Sequence, residues 1–328
     1  MTPRFPVRST LILGFFGIMA VIIPIFLLRL KVIDAFTMRI LTMGGVHAMM
    51  AMSVNMIVGI TGQLSLGQAG FLAIGAYACI FFSLDLGLPL PLAVMCAVLL
   101  TSFVGFIIGF PVLKMSGDYL AIVTLGFGEI IRVVFNNLRA LTGGPNGRSF
   151  TTIVVFNREL AFIVTTATLI IVLALIQNFL RSTYGRTIKA CREDEIAANA
   201  SGINIFRYKM LGFVIAASIA GLAGSLFVMA VGFIRPDIAH FIMSVEFLIF
   251  VVLGGMGSMT GSIIAAYLLT YLQEFLRFLQ DYRLLIYPVI LIMIMLFRPK
   301  GLMGMKEISI VGTIDKIQSR FFNRGGKK

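Results

Sequence analysis

Apolar runs of about twenty residues recur along the whole chain, separated by short polar islands, and each is long enough to cross roughly 30 Å of hydrocarbon as a helix. The pattern predicts ten spans: 10–30, 40–60, 68–84, 90–113, 119–139, 160–180, 209–231, 241–258, 262–280 and 283–297. The eighth and ninth are interrupted by "GGMGSMTG" at 254–261. Short alternating segments of the kind that build a membrane β-barrel are missing. The expected fold is all-α: a polytopic membrane bundle with broken or re-entrant segments. The first apolar run, Leu11 to Leu28, follows Arg4 and Arg8. It is longer than a signal-peptide core and no small-residue cleavage site follows, so it reads as a retained span.

Composition agrees. The chain is 59% hydrophobic and 12% charged, about half the charged share of a soluble domain, with a mean hydropathy of +1.01. The net charge of +13 reads as topogenic rather than as a nucleic-acid footprint, because Lys and Arg gather where membrane loops face the cytoplasm. With the N-terminus inside, the two densest basic clusters, 181–209 and Arg298 onward, both fall inside. Both termini are then cytoplasmic, residues 1–300 form the membrane domain with a cytoplasmic loop at 181–209, and 301–328 form a basic tail. Cys79 and Cys96 lie in apolar spans and Cys191 in the charged loop, a scatter that points to neither disulfides nor a metal site.

The polar islands carry the candidate chemistry. Residues 184–209 read "YGRTIKACREDEIAANASGINIFRYK". Glu193, Asp194 and Glu195 suit the positive end of a helix dipole and Gly202 suits the residue just past a helix end, which predicts two to three helical turns between them. Ile196, Ala200 and Ile203 share a face, and Ala197 and Ala198 keep the helix slim. It is either a solvated topogenic loop or a short amphipathic element that docks in a groove of another protein. "TGQLSLGQAG" (61–70) interleaves Gly62, Gly67 and Gly70 with Gln63, Ser65 and Gln68. It reads as a broken segment lining a pathway, or as a polar turn between closely packed helices. Glu129 and Arg132, one turn apart in an apolar span, form either a functional pair or a structural one. Candidate pathway residues are Gln63, Ser65, Gln68, Asn55, Thr124 and Glu129; for Asn55, interhelical hydrogen bonding is the competing reading. His47 reads as a packing residue. Glu246 and the Glu274/Arg277 pair are expected to snorkel at the outer ends of their spans. Turn formers at 143–147 mark a long outer loop, 140–159, which is a connector or a receiving surface.

"AANASG" (197–202) resembles the Ala-Ala-x-x-x-Gly core of the loop by which permease subunits of ATP-binding-cassette (ABC) importers engage a separate ATPase. Ile196 stands where a Glu is usual, with Glu195 one position earlier, and the expected apolar-Pro ending is missing. "GITGQLSLGQAGFLAIGAY" (59–77), "GDYLAIVTLGFGEIIR" (117–132), "LTGGPNG" (141–147), "VVLGGMGSMTGSIIAAYL" (251–268) and "RPKGL" (298–302) are similar to the branched-chain amino acid branch of those permeases. Urea and short-amide permeases share much of this pattern. The resemblance implies partners: a homologous second permease, two ABC ATPase subunits, an external solute-binding protein, and the lipid bilayer of a bacterial inner membrane. It implies coupling through Glu193, Glu195, Ile196, Ala197, Ala198, Gly202 and Ile203.

No phosphate loop, HExxH, Gly-x-Ser-x-Gly or Cys-x-x-Cys occurs. A non-enzymatic transport subunit without a cofactor of its own is expected, with ATP and Mg on partner ATPases. Two rivals stand beside it. One is an ion-coupled secondary transporter built on Glu129; the other is a non-transporting assembly protein.

Overall fold

The computed structural model describes residues 34–115, 117–298 and 301–304; the expected span 10–30 and nearly all of the basic tail lie outside them. Eleven helices organise the described residues: α1 Ala35–Asn55, α2 Gln68–Ile80, α3 Leu90–Val112, α4 Asp118–Asn137, α5 Arg158–Arg181, α6 Thr183–Glu193, α7 Glu195–Ala200, α8 Ile205–Val231, α9 Phe241–Gly254, α10 Met259–Phe275 and α11 Arg283–Phe297. Single turns at Arg139–Thr142 and Ile153–Phe156 bridge α4 to α5. Six helical stretches are long and apolar enough to span a membrane: Phe36–Thr61, Gln68–Asp85, Leu90–Val112, Arg158–Arg181, Ile205–Val231 and Met259–Gln280. The protein is an all-α, multi-pass membrane bundle.

Its core is α8, packed on α1, α2 and α3. Small residues set the spacing, because without a hydrophobic driving force between helices in lipid, association rests on close van der Waals contact. Along α3 the buried positions Ala93, Ala97, Thr101, Gly105 and Gly109 fall at every fourth residue, with Val112 buried at the end. A Cβ on Gly105 would lie 2.6 Å from the Ala217 methyl, and one on Gly221 would lie 2.6 Å from Thr101. Contact between α8 and α2 is closer still: a Cβ on Gly224 would stand 2.0 Å from the Leu72 carbonyl oxygen, and one on Gly75 2.1 Å from that of Gly221.

The chain threads so that the end of α1, the turn after α3, helices α6 and α7, and the α9–α10 turn share one side, called here the basic side. On the far side, three connections are tied together. Arg148 pairs with Asp85 and donates 2.8 Å to the Leu141 carbonyl. Two-residue strands β1 (Arg148–Ser149) and β2 (Phe233–Ile234) pair antiparallel, and the Phe150 amide donates 2.8 Å to the Gly232 carbonyl.

Helix α9 departs from the expected 241–258 span. It ends at Gly254, and its 14 residues rise about 21 Å, short of the roughly 30 Å needed to cross. The turn Pro236–Ala239 that precedes it packs on α2 and α4, so the chain descends among helices before α9 begins. Glu246 is therefore not at an outer end. It sits half-buried inside α9 and accepts 2.5 Å from Gln273 Nε2. Glu274 and Arg277 do pair near the far end of α10, at 2.7 Å.

Candidate translocation and coupling site

At its basic end α1 widens into a π-helix, Met56–Thr61. Such wide turns disturb the regular ladder and cluster at functional sites. Gly59 is what the geometry demands there, since a Cβ would fall 1.8 Å from Asn55 Oδ1 and 2.4 Å from the Gly257 nitrogen. The α9–α10 turn thus rests directly on α1. Asn55 fastens it: Nδ2 donates to the Ser258 carbonyl and Ser262 Oγ, both at 2.9 Å, and Oδ1 accepts from Gly257 N at 2.8 Å. The π-turn that continues α1 ends at Gly62, whose φ of +72° suits a residue without Cβ.

Residues 62–67 are non-helical, and exposure alternates along the first four. Gly62 and Leu64 are exposed while Gln63 and Ser65 are buried. This strip runs back into the bundle. Its end, Gln68, accepts 2.9 Å from Ser53 Oγ, which also donates 2.7 Å to the Ala216 carbonyl halfway along α8. Leu66 N donates 3.0 Å to Thr124 Oγ1, and a Cβ on Gly67 would sit 2.4 Å from the Thr124 carbonyl. Non-helical backbone at this depth is tolerated because protein covers it. Three buried polar atoms of the strip and its end find no protein partner: Gln63 Nε2, Ser65 Oγ and Gln68 Nε2.

Two helix N-termini converge midway along α4. Gly128 lies between Gly67, the residue before α2, and Ala239, just before α9: its Cβ would be 3.8 Å from Gly67 Cα and 3.6 Å from the Ala239 carbonyl. Ser244 Oγ of α9 accepts from Ala69 N of α2 at 3.0 Å. Glu129 completes the start of α9. Its Oε1 accepts 3.1 Å from Phe241 N, its Oε2 pairs 2.7 Å with Arg132, and His240 stands 3.9 Å away. A carboxylate at a helix N-terminus opposes the dipole there.

On the basic side, the expected helix across 193–203 is split in two. Asp194 takes an extended backbone, closes α6 and caps α7 by accepting 2.9 Å from Ala197 N. The Asp side chain competes for backbone donors, and this breaks the run. Glu193 therefore ends α6, Glu195 opens α7, and α7 is shorter than expected. Ile196 is 83% exposed and Ala197 and Ala200 are also exposed, whereas Ala198 is buried and Ile203 half-buried. Gly202, at φ +79°, turns the chain away. Lys209 of α8 holds Glu195 at 2.5 Å. Arg192, at the end of α6, reaches the α1 π-turn: its guanidinium donates to the Gly59 carbonyl, its Cγ lies 2.9 Å from where a Gly62 Cβ would be, and Nη1 is 3.4 Å from that of Gly257. Burial, reinforced by the Glu195 charge and opposed by Lys209, pushes the Cys191 thiol pKa up.

A family profile, "Branched-chain amino acid transport system / permease component", matches residues 36–297, which takes in all eleven helices except Ala35. The chain belongs to this permease family. The permease is 38% identical over 298 residues to the high-affinity branched-chain amino acid transport system permease protein LivM of Escherichia coli K12, covering 82% of this chain and 70% of that one. It is 27% identical over 297 residues to BraD of Pseudomonas aeruginosa (83% and 95% covered) and 26% identical over 296 residues to LivH of E. coli K12 (82% and 95% covered). Those two carry the same descriptive name. No solved structure matches the chain.

Of the residues singled out in sequence, the permease brings Gln63, Ser65, Gln68 and Thr124 together along one strip, and places Asn55 and Glu129 as ties at its two ends. His47 packs 5.6 Å from the Phe250 ring and hydrogen-bonds Thr270 at 2.9 Å. Arg192, Ser53, Ser244 and Gly128 were not foreseen. Arg192 looked like one topogenic charge among many; the adjoining Gly59, Gly62 and Gly257 were the available signal.

Proposed function

We propose that this permease is the membrane-spanning subunit of an ATP-driven importer of branched-chain amino acids. The observation that carries the reading is the α6–α7 element. It exposes Ile196, Ala197 and Ala200 outward while planting Arg192 in the α1 π-turn and the α9–α10 turn. A docked partner moving α7 would pull on both turns, and through Gly62 on the 62–67 strip. The partner is an ABC ATPase subunit, one of two, which binds the ATP and Mg; the permease itself catalyses no reaction. Glu193, Glu195, Ile196, Ala197, Ala198, Gly202 and Ile203 form the coupling element, Ala198 from its inner side. The basic side is cytoplasmic, with both termini there, in a bacterial inner membrane. Gln63, Ser65, Gln68 and Thr124 line the path, framed by Asn55 and Glu129. A homologous second permease completes the pore, and a solute-binding protein loads it at the tied far side around 140–159.

The test is reconstitution with ATPase subunits and binding protein in liposomes. ATP-dependent leucine uptake is expected, and Ala197→Arg should reduce it at least tenfold while the permease still inserts. Uptake that survives vanadate and collapses with an uncoupler would instead favour ion-coupled transport. Urea or short-amide uptake in place of leucine would move the permease to the neighbouring branch.

A further inference from the structure

Helices α2 and α9 both begin inside the bundle, on either side of Gly128, and they are treated differently. The start of α9 is met by the Glu129 carboxylate through Phe241 N. The start of α2 has no acidic residue in its first turn and no side chain of its N-cap, Gly67, to close it; only a neutral group, the Ser244 hydroxyl accepting from Ala69 N at 3.0 Å, meets it. Around it lie the polar atoms without protein partners: Gln68 Nε2, on the first residue of α2 and fully buried, with Ser65 Oγ and Gln63 Nε2 on the strip leading in, 2% and 5% exposed. A helix N-terminus that meets no counter-charge carries partial positive charge and favours an anion. Buried donors left without acceptors cost about 1–3 kcal/mol each, so the cluster is stabilised by any ligand that supplies acceptors. Interrupted transporter helices hold substrate carboxylates in this way.

We infer that the N-terminus of α2, with Ser65 and Gln68 as donors and Gln63 beside them, is a carboxylate site that grips the α-carboxylate of the amino acid in transit. The inference rests on the importer reading and names the part of the substrate the path recognises. Glu129 takes no direct share; it neutralises α9, so that α2 alone presents positive potential. The side chain of the amino acid is not read here, because the donors address only the group all amino acids share. The site is closed in this structure, and displacement of the 62–67 strip, bounded by Gly62 and Gly67, would open it.

The test uses the assembled transporter, with ATPase subunits, in nanodiscs. Ser65→Cys is treated with a small anionic and a small cationic methanethiosulfonate, and modification is read at that peptide by mass spectrometry, which leaves native Cys79, Cys96 and Cys191 in place. The anionic reagent is expected to react about tenfold faster than the cationic one. Leucine should slow it at least fivefold, whereas leucinol, which lacks the carboxylate, and sulfate should not. Equal slowing by leucinol overturns the carboxylate assignment. Equal slowing by sulfate assigns a general anion site and also overturns it, as does no slowing at all. Should that variant not assemble, Gln68→Met and Gln68→Glu carry the test: leucine-stimulated ATP hydrolysis is expected to fall about tenfold for Met and further for Glu, and wild-type stimulation in the Met variant overturns the site. A wild-type complex that takes up no leucine under ATP would fail the importer reading instead, and the labelling would still report what binds at Ser65.

Discussion

Helices α3 and α1 illustrate two ways of using an apolar run. In α3 the hydropathy is uniform, one stripe of small residues meets α8, and much of the rest, including Phe103 and Phe106, faces outward, so that only 28% of its most apolar window is buried. In α1 the corresponding share is 83%, the helix widens at 56–61, and its polar side chains Ser53, Asn55 and Thr61 all hydrogen-bond within the protein. The first is an outer wall of the bundle. The second is the axis on which the α9–α10 turn, α6 and the 62–67 strip converge. Polar atoms in a bilayer must find partners, and a helix enclosed by protein is where they find them.

That contrast can be broken first by packing. Gly224→Leu drives a side chain into the Leu72 carbonyl and should cost more than about 3 kcal/mol, whereas Phe103→Ala, 61% exposed on α3, should stay within about 0.5 kcal/mol; thermal unfolding in detergent compares them. Next comes coupling. Arg192→Ala should lower uptake at least tenfold with ATP hydrolysis retained, and Arg192→Lys should recover part, as both rates measured together would reveal. Asn55→Ala leaves the Gly257 amide without its acceptor and should destabilise by about 1–3 kcal/mol, read from the same unfolding curves. Glu129→Gln keeps an acceptor for Phe241 and loses the charge pair with Arg132, worth up to about 1 kcal/mol. Its uptake should fall less than twofold, and complete loss would return Glu129 to the pathway as an ion site. The smallest effect concerns Cys191. Its raised pKa keeps the thiol protonated at neutral pH, so maleimide labelling should be slow at pH 7 and rise with pH toward and through that pKa. ATP turnover should accelerate it if α6 lifts.

The long spans were legible in sequence because uniform hydropathy over some twenty residues leaves α3 and α8 no other solution. The interruption at 61–70 was legible too, since three glycines together loosen the helix and amide side chains sit where lipid does not tolerate them unless something covers them. The depth of that interruption was not. Nothing in "TGQLSLGQAG" says that the strip climbs back to Ser53, because the Gln68–Ser53 bond depends on tertiary packing. Helix α9 was overestimated for a related reason: "FIMSVEFLIFVVLG" is apolar enough to pass for part of a longer span, but it starts inside the bundle and stops at Gly254, where Gly255 and Gly257 turn the chain at positive φ. At 193–203 the acid-Ala-Ala-Gly order announced a helix, but the Asp194 side chain chose capping over continuation, a competition that periodicity does not register.

The far-side strand pair gives the molecule an unusually brief route inward. From Ile234, held in register against Arg148, the backbone needs five residues to reach Ala239 at Gly128. Whatever lands on the exterior and shifts that ribbon is, in chain length, almost touching the heart of the bundle, so arrival of cargo and loosening of the interior need no long relay between them.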